Sequence, residues 1–496
     1  MTMVAQPART RFAPSPTGYI HIGSMRTILF DWLWARHTGG QFILRIEDTD
    51  RQRYLPEAEA QIRESIRRMG LHWDEGPEFG GPYGPYTQSE RLPIYQRHAA
   101  DLLTRGQLYK CWCTPERLHQ VNTAKQARKQ PPGYDRHCRF LTPEECATYE
   151  ASGQPYTLRL TVPLEGETVL HDLIRGPIVF HNHLQNDMVM LKSDGFPTYH
   201  FAVVVDDHAM GITHVLRGDD WIATAPLHVL LYQFFAWQQP VWVHVPQVLG
   251  PDGKKFSKRH GATSIIDYLD QGYLPEALIN FMALIGWGYD ESTEIMTIGE
   301  LTTRFDLTRI SPSGGSFNID KLNKFNGIYI RNLLLPELQE RVLPYLQRAE
   351  VLGATLTEAE QVTLTRLLAL VQERVVVLSD ASPLIRPFFH TPTYDAALLL
   401  PKKSDVATIL HALQTTTNTL VTLAPWETSV IETQLRQLGA DLNLKRDLLM
   451  SVRVAVTGSS VSLPLFETLD ILGQETTVHR LAHAVALLAE TSDMSK

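Results

Sequence analysis

The chain has 496 residues, a net charge of −8, an apolar fraction of 44% and a charged fraction of 20%. This length predicts about three domains of ordinary globular composition, and no run approaches the roughly 18 uninterrupted apolar residues of a membrane span. The acidic balance argues against indiscriminate nucleic-acid binding, which needs a broadly positive surface, but leaves room for a local basic groove that takes one folded RNA.

The first hundred residues alternate between predicted strands and helices. A strand at Thr10–Ala13 leads through a proline-rich turn to helix-period residues from about Ser24 to His37, which stop at two glycines. A strand at Gln41–Glu47 and an amphipathic helix at Pro56–Met69 repeat the pattern. Strand, helix, strand and helix in this order predict a parallel sheet with crossover helices.

The pattern changes in residues 109–196, where short β-rich runs and many prolines indicate an inserted domain. It then resumes with predicted strands at Tyr199–Val205, Thr213–Leu216 and Val241–Val245. Beyond about Leu335 the sequence is leucine-rich with helical spacing, which predicts an all-helical module.

Two stretches have the chemistry that a nucleoside triphosphate needs. Arg11-Phe-Ala-Pro-Ser-Pro-Thr-Gly-Tyr-Ile-His-Ile-Gly23 reads as a strand, a rigid turn and a glycine-flanked helix entry, where unpaired N–H groups attract phosphate. Gly253–Gly261 carries four cations in six residues and follows a strand, which suits a departing pyrophosphate. Taken alone, the first stretch fits a proline-rich turn with a capping histidine equally well, and the second fits a solvated basic turn.

Together the two stretches form the H-x-G and K-x-S-K-R signature pair of class I aminoacyl-tRNA synthetases. Three further runs resemble bacterial-type glutamyl-tRNA synthetases specifically: Arg45–Arg51, Tyr199–His208, and Val452–Gly458 with Leu465–Gly473 after it. The matching runs occur in the expected order along nearly the whole chain.

This resemblance implies an α/β Rossmann-like class I synthetase catalytic domain with an inserted α+β domain, followed by an all-helical C-terminal anticodon-binding region. The helical pattern argues against glutaminyl-tRNA synthetases, which use β-barrels there. The implied boundaries are 1–108 and 197–260 for the split catalytic domain, 109–196 for the inserted acceptor-binding domain, 261–334 for a helical stem-contact domain, and 335–496 for the anticodon-binding region. Lys445, Arg446 and Arg453 form a basic patch that could meet tRNA phosphates or could simply be an exposed helix face.

The implied reaction is ATP-dependent activation of L-glutamate to glutamyl-adenylate and transfer to the 3′ end of tRNA(Glu), with tRNA(Gln) left open as a second acceptor. ATP enters as a substrate with Mg²⁺, and the family suggests a monomer. The N-terminus lacks the apolar core of a signal peptide and the cysteines form no disulfide framework, so a cytoplasmic location is expected. Two alternatives remain: a catalytically silent paralogue that binds tRNA, and a smaller nucleotidyltransferase, which the tRNA-type last third disfavours.

The resemblance also implies roles for individual residues. Glutamate brings two carboxylates, which favour guanidinium partners. The implied glutamate pocket contains Arg11, Ala13, Ser15, Glu47, Tyr199 and Arg217.

The nucleotide side is implied to use His21 and Gly23 at the helix entry and Lys258 at the leaving phosphates, with Lys255 and Arg259 supporting that loop. Asp220 is expected near the ribose and Val248 near adenine, although Gly218-Asp-Asp-Trp221 departs from the commoner glutamate-containing version. Ser24 stands where the wider class usually has histidine. Asp48 and Asp50 are interpreted as structural.

A metal site is one interpretation of the inserted segment. Some family members bind structural zinc there with two cysteines one residue apart, a distant third cysteine, and a tyrosine or histidine. Cys111, Cys113 and Cys138 match the three cysteines, whereas Phe140 stands where those proteins have histidine. Tyr134 or His137 would have to complete a four-coordinate Zn²⁺ site, and free buried thiols are the alternative. Cys146 is interpreted as structural.

Overall fold

The computed structural model describes residues 6–16, 18, 20–50, 53–257, 259, 264–402 and 404–494, of which 492–494 by backbone only. The chain divides into two compact units, which are described separately. The α/β unit comprises Met1–Leu269 with Pro275–Ile319, and the helical unit comprises Asp270–Leu274 with Asp320–Lys496.

The α/β unit contains all the strands found among the described residues. Its elements in chain order are β1 Arg9–Phe12, α1 Ile22–His37, β2 Gln41–Leu44, α2 Pro56–Arg68, α3 Leu92–Thr104, β3 Leu108–Cys111, α4 Pro115–Ala127, α5 Pro143–Ala151, β4 Thr157–Leu160, β5 Glu167–Asp172, β6 Gly176–His181, β7 Val189–Leu191, α6 Tyr199–Ala209, β8 His214–Gly218, α7 Ala225–Phe234, β9 Val241–Val245, β10 Val248–Leu249, α8 Ile265–Gln271, α9 Pro275–Ala283, α10 Ile298–Arg304 and β11 Gly315–Ser316.

The parallel strands that the sequence predicts are present. β1 pairs with β2 in parallel, with Arg9 opposite Gln41, and β8 pairs with β9 in parallel. The Thr213 amide donates to the Arg9 carbonyl at 3.0 Å, which connects β1 to the residue before β8. The parallel arrangement with crossover helices is therefore confirmed.

The segment 109–196 contributes to two different sheets. β3, β4 and β7 form a small antiparallel sheet of their own, whereas β5 pairs with β9 in parallel and with β6 in antiparallel orientation. The order of the four-stranded sheet is β6-β5-β9-β8. Part of this segment therefore extends the same sheet as the strands that follow residue 197.

Two glycines determine how α1 returns to the sheet. Gly39 has a φ of +67°, a backbone region in which a side chain is strained, and it ends the helix. A Cβ on Gly40 would lie 1.9 Å from the carbonyl oxygen of Ala8, so only glycine lets β2 start alongside β1. This turn sets the register that brings the ends of β1 and β2 together.

The predicted strand Tyr199–Val205 is wrong, because these residues form the first part of helix α6. The five residues from Phe201 to Val205 are all buried, so the sequence shows no amphipathic period that would distinguish a helix from a buried strand. The element runs for 11 residues and is followed by Gly211 with a φ of +65°, which is the length and the stop signal of a helix.

The helical unit confirms the predicted all-helical last third. Its described residues contain no strand, and its helices are α11 Ile319–Arg331, α12 Leu335–Arg348, α13 Glu358–Val371, α14 Ala381–Phe389, α15 Val406–Val421, α16 Thr428–Asp441, α17 Lys445–Thr457, α18 Leu465–Leu472 and α19 Gln474–Met494. Buried leucines and valines of α15 to α19 form one apolar core. In the described part of the chain, no helix combines the length and the hydropathy that a membrane crossing requires.

The three cations proposed as a basic patch have different surroundings. Lys445 and Arg446 are exposed in the first turn of α17. Arg453 instead donates from Nη1 to the Ser462 hydroxyl at 2.6 Å and to the Leu463 carbonyl at 2.7 Å. Because its guanidinium holds the loop before α18, Arg453 serves local structure rather than an open phosphate-binding surface.

Candidate active site

The six residues of the implied glutamate pocket line one cavity of about 800 Å³. The cavity lies where β1, β2 and β8 end, and the carboxyl ends of parallel strands are where α/β folds bind ligands. The pocket residues in the lining are Arg11, Ala13, Ser15, Glu47, Tyr199 and Arg217.

A second cavity of about 280 Å³ contains five of the residues expected at the nucleotide, namely His21, Gly23, Asp220, Val248 and Lys255. Ser24, Thr27, Gly218 and Trp221 line both cavities, so the two spaces adjoin.

The other two expected nucleotide residues are not placed there. Arg259 lines neither cavity, and its Nη2 lies 3.0 Å from the Asp252 carboxylate in an exposed ion pair. Lys258 lies outside the described residues.

His21 caps helix α1 at the mouth of the second cavity. Its Nδ1 accepts a hydrogen bond from the Ser24 amide at 3.2 Å, which fixes the ring at the positive end of the helix dipole. Burial, followed by the nearby Lys255, lowers the pKa of His21, so the ring is neutral at physiological pH. The Lys255 Nζ lies 3.8 Å from the Asp220 carboxylate, which places a cation and an acid on the same cavity wall.

Arg26 also lines the second cavity and was missed by the sequence analysis. Its guanidinium is 2% exposed and donates to the carbonyls of Pro246 and Ile285. Arg26 thereby holds the chain before Val248, the residue expected at adenine. No sequence pattern indicated this role, because the two carbonyls lie more than 200 residues away from Arg26.

A network of buried charged side chains holds Arg11, which lines the larger cavity. Asp207 accepts from Arg11 Nε at 3.0 Å, from Arg11 Nη2 at 3.2 Å and from Arg45 Nη1 at 2.8 Å. Asp206, its neighbour, accepts from Arg91 Nε at 2.7 Å and from Gln88 at 2.9 Å. Two arginines and an aspartate at full burial require this mutual pairing, because an unpaired charge there would be costly.

Two further acids face the larger cavity. Glu47 Oε1 accepts from Arg45 Nη2 at 3.2 Å and from Gln88 Nε2 at 3.4 Å, and burial raises the pKa of Glu47 to about 7. Asp31 is 1% exposed, neither of its carboxyl oxygens makes a hydrogen bond within the described residues, and burial raises its pKa well above the ordinary value. Asp48, which was interpreted as structural, accepts from the Ser89 amide at 2.8 Å.

Arg217 has a different environment from Arg11. Its Nε donates to His244 and its Nη1 donates to His228, so its partners are imidazoles rather than carboxylates. The sequence analysis missed both histidines and Asp172, which contacts His244. They lie on three separate elements, β5, α7 and β9, and no local spacing connects them.

The three matched cysteines form one cluster. The Sγ atoms of Cys111, Cys113 and Cys138 all lie within 4.8 Å of one another, and Cys113 and Cys138 are 3.5 Å apart. The Tyr134 hydroxyl lies 3.4 Å from Cys111 Sγ and 3.7 Å from Cys113 Sγ. Hydrogen bonds from Cys113 and then Cys138 lower the pKa of Cys111, which favours a thiolate.

Comparisons with known proteins agree with this geometry. A family model for the catalytic domain of class I tRNA synthetases (E and Q) matches residues 7–324, and one for an anticodon binding domain matches residues 337–485. A glutamate--tRNA ligase of Herpetosiphon aurantiacus is 51% identical over 98% of this chain and 99% of its own length. One of Chloroflexus aurantiacus is 47% identical over 98% and 99%.

The structural comparison gives the same relationship. The crystal structure of a glutamate tRNA ligase from Elizabethkingia meningosepticum, in complex with its amino acid, superposes with a TM-score of 0.86 and 33% identity. The match covers 97% of this chain and 100% of that chain.

Proposed function

Because the chain belongs to the glutamate--tRNA ligases, a family of class I aminoacyl-tRNA synthetases, we propose that it activates L-glutamate with ATP and loads it onto tRNA(Glu). The observation that carries the proposal is the pair of adjoining cavities, one lined by the residues expected for glutamate and one by five of the seven residues expected for ATP. The four lining residues that the cavities share support a bound glutamate carboxylate next to the α-phosphate.

The charges in the larger cavity suit glutamate. Arg217 Nη2 is buried without a hydrogen-bond partner among the described residues, so it offers a donor to a carboxylate. Arg11 also lines this cavity, and its guanidinium is held in place by the Asp207 carboxylate and the Leu216 carbonyl. Ionised Glu47 is the matching partner for the substrate ammonium. This set favours a zwitterionic amino acid with a second carboxylate.

The chemistry needs no protein nucleophile. The glutamate carboxylate attacks the α-phosphate of ATP, pyrophosphate leaves, and the 3′-terminal hydroxyl of tRNA then displaces AMP. ATP enters as its Mg²⁺ complex, so the ion is part of the substrate. The protein contributes alignment and charge: the N-terminus of α1 with His21 is proposed to face the phosphates, and Lys255 lines the same cavity. Lys258 and Arg259 are proposed to meet the departing pyrophosphate.

The test is aminoacylation with ATP and labelled glutamate, using tRNA(Glu) and tRNA(Gln) side by side. We expect tRNA(Glu) to be charged; charging of tRNA(Gln) as well would show the broader specificity. Arg217→Met should abolish charging while ATP still binds, because only the carboxylate partner is removed. Uncharged tRNA(Glu) with intact ATP and tRNA binding would instead support the silent paralogue.

Residues 109–196 are proposed to contact the tRNA acceptor end, 261–334 its stem, and 335–496 its anticodon, in a monomer that works in the cytoplasm. The family model for an anticodon binding domain over residues 337–485 supports the assignment of the anticodon-binding region. Sedimentation with and without tRNA would measure the oligomeric state, and a truncation after residue 334 should weaken tRNA binding.

The cysteine cluster is proposed to hold structural Zn²⁺. A tetrahedral zinc with Zn–S bonds of about 2.3 Å separates its sulfurs by about 3.8 Å, close to the 3.5 Å between Cys113 and Cys138. Tyr134 is the fourth ligand that the geometry favours, since no described histidine belongs to the cluster. Zinc would restrain β3 and the turn at Cys138.

Metal analysis of the purified protein tests this proposal. We expect one zinc per chain in the wild type and its loss in Cys138→Ser. Cys146→Ser is the matched control, because Cys146 packs beside the cluster without belonging to it. Equal zinc contents in the two variants would contradict the assignment.

A further inference from the structure

Three hydrogen-bonding nitrogens of Arg217 face three different surroundings. Nε donates to His244 Nε2 at 3.0 Å, and Nη1 donates to His228 Nδ1 at 2.9 Å. Nη2 is buried and has no hydrogen-bond partner among the described residues. Two sides of the guanidinium are thus occupied by imidazoles, the Tyr199 side chain is a further neighbour, and Nη2 is the nitrogen left for a ligand.

The direction of each hydrogen bond can be assigned because a guanidinium only donates. His244 must accept at Nε2, so its proton is on Nδ1, which donates to Asp172 Oδ2 at 2.7 Å. His228 must accept at Nδ1, so its Nε2 donates to His200 Nδ1 at 3.0 Å. Both rings bonded to Arg217 are therefore neutral, each in a defined tautomer.

The Asp172 carboxylate, which accepts the hydrogen bond from His244, is itself held by several backbone amides. The Asp172 carboxylate also accepts from the backbone amides of His244 at 2.9 Å, Ile174 at 3.0 Å and Arg175 at 2.9 Å. Asp172 and His244 are 4% and 0% exposed. These bonds fix the His244 ring, and the ring fixes the Nε edge of Arg217.

The contrast with the other buried arginines concerns charge. Arg11, Arg45 and Arg91 are each within ion-pair distance of Asp206 or Asp207. Among the described residues, no carboxylate is recorded within ion-pair distance of Arg217, and Asp172 is separated from it by the His244 ring. The Trp242 ring, 5.3 Å from the guanidinium carbon, is a further neutral neighbour.

We propose that His228 and His244 are positioning residues that orient Arg217 while leaving its charge unneutralised, so that the substrate carboxylate is its first anionic partner. A carboxylate at either position would hold the guanidinium equally well in geometry, but it would compete with the substrate for the charge. Neutral imidazole acceptors hold the guanidinium in place without competing with the substrate for its charge. This inference rests on the proposed function, because it assumes that Arg217 binds the glutamate carboxylate.

The test is a pair of variants with the same shape and different charge. In His228→Asn the amide oxygen lies where Nδ1 was and still accepts from Arg217, whereas His228→Asp places an anion at the same point. We expect the KM for glutamate to stay within about threefold of wild type in His228→Asn and to rise at least tenfold in His228→Asp, which is about 1.4 kcal/mol. The KM for ATP should not change in either variant, because the nucleotide contacts other residues.

A second pair repeats the comparison at the other imidazole. His244→Gln keeps an acceptor at the Nε2 position and His244→Glu adds the charge, so the same order of KM values is expected. This pair also decides the question if His228→Asp does not fold, as judged by thermal melting. His208→Asn and His208→Asp are controls for added charge: His208 is exposed near the end of α6, nine residues or about 14 Å along the helix from Tyr199.

The outcomes distinguish failure of the proposed function from failure of this inference. A wild-type protein that does not charge tRNA(Glu) refutes the proposed function. A wild-type protein that charges normally, with equal glutamate KM values in the neutral and charged variants at both positions, overturns the inference alone, since a purely structural role responds to shape rather than charge.

Discussion

The raised pKa of Glu47 predicts how the activity with glutamate depends on pH. Its carboxyl lies just after β2, is 4% exposed, and accepts from Arg45 and Gln88 through one oxygen. Burial raises the pKa of Glu47 from its ordinary value of 4.5 to about 7. The group that is proposed to bind the substrate ammonium therefore changes its charge within the range in which the enzyme can be assayed.

The direction of the pH dependence follows from which protonation state of Glu47 binds the substrate. Only the carboxylate attracts an ammonium, and an acid with a raised pKa is protonated below that pKa. With a pKa of about 7, roughly one tenth of Glu47 is ionised at pH 6 and roughly nine tenths at pH 8. The kcat/KM for glutamate should therefore rise about tenfold between pH 6 and pH 8 and level off above, because this parameter reports the free enzyme.

The assay is aminoacylation of tRNA(Glu) at constant ionic strength, with ATP and tRNA saturating and glutamate varied. Glu47→Gln should lower kcat/KM and remove the pH slope, since the amide does not titrate. Glu57→Gln, an exposed position in the first turn of α2, should keep the wild-type slope. A Glu47→Gln variant with the same tenfold rise would assign the titration to another group and refute the reasoning.

Two further predictions concern stability. Asp207→Asn removes the carboxylate that pairs with both Arg11 and Arg45. Because the buried guanidinium groups then lack this partner, the free energy of unfolding should fall by roughly 3–5 kcal/mol in urea titrations. An unchanged urea midpoint would show that the network is not stabilising. Gly272→Ala forces a side chain into a φ of +96° and places its Cβ 2.5 Å from a backbone nitrogen, so it should cost about 1–3 kcal/mol, while Gly353→Ala, whose nearest atom is at 3.8 Å, should change the midpoint little.

The sequence was sufficient to predict which residues on local motifs lie close together. Arg11 and Arg217 stand on parallel strands and His21 caps the helix after one of them, so the same edge of the sheet collects all three. The partners of Arg217 could not be predicted in this way. His228 and His244 are single residues within apolar runs, and only the packing of α7 against the sheet makes them neighbours.

The helical geometry of α6 gives Arg11 and Arg217 different surroundings. In a strand, Asp206 and Asp207 would point to opposite faces of a sheet. In the helix they diverge by about 100° on one buried end, so Asp206 reaches Arg91 and Asp207 reaches Arg11. Arg11 is therefore neutralised inside the protein, whereas the recorded side-chain partners of Arg217 are the imidazoles of His244 and His228. On the proposed function, Arg217 is then the arginine whose charge would discriminate a carboxylate from an amide.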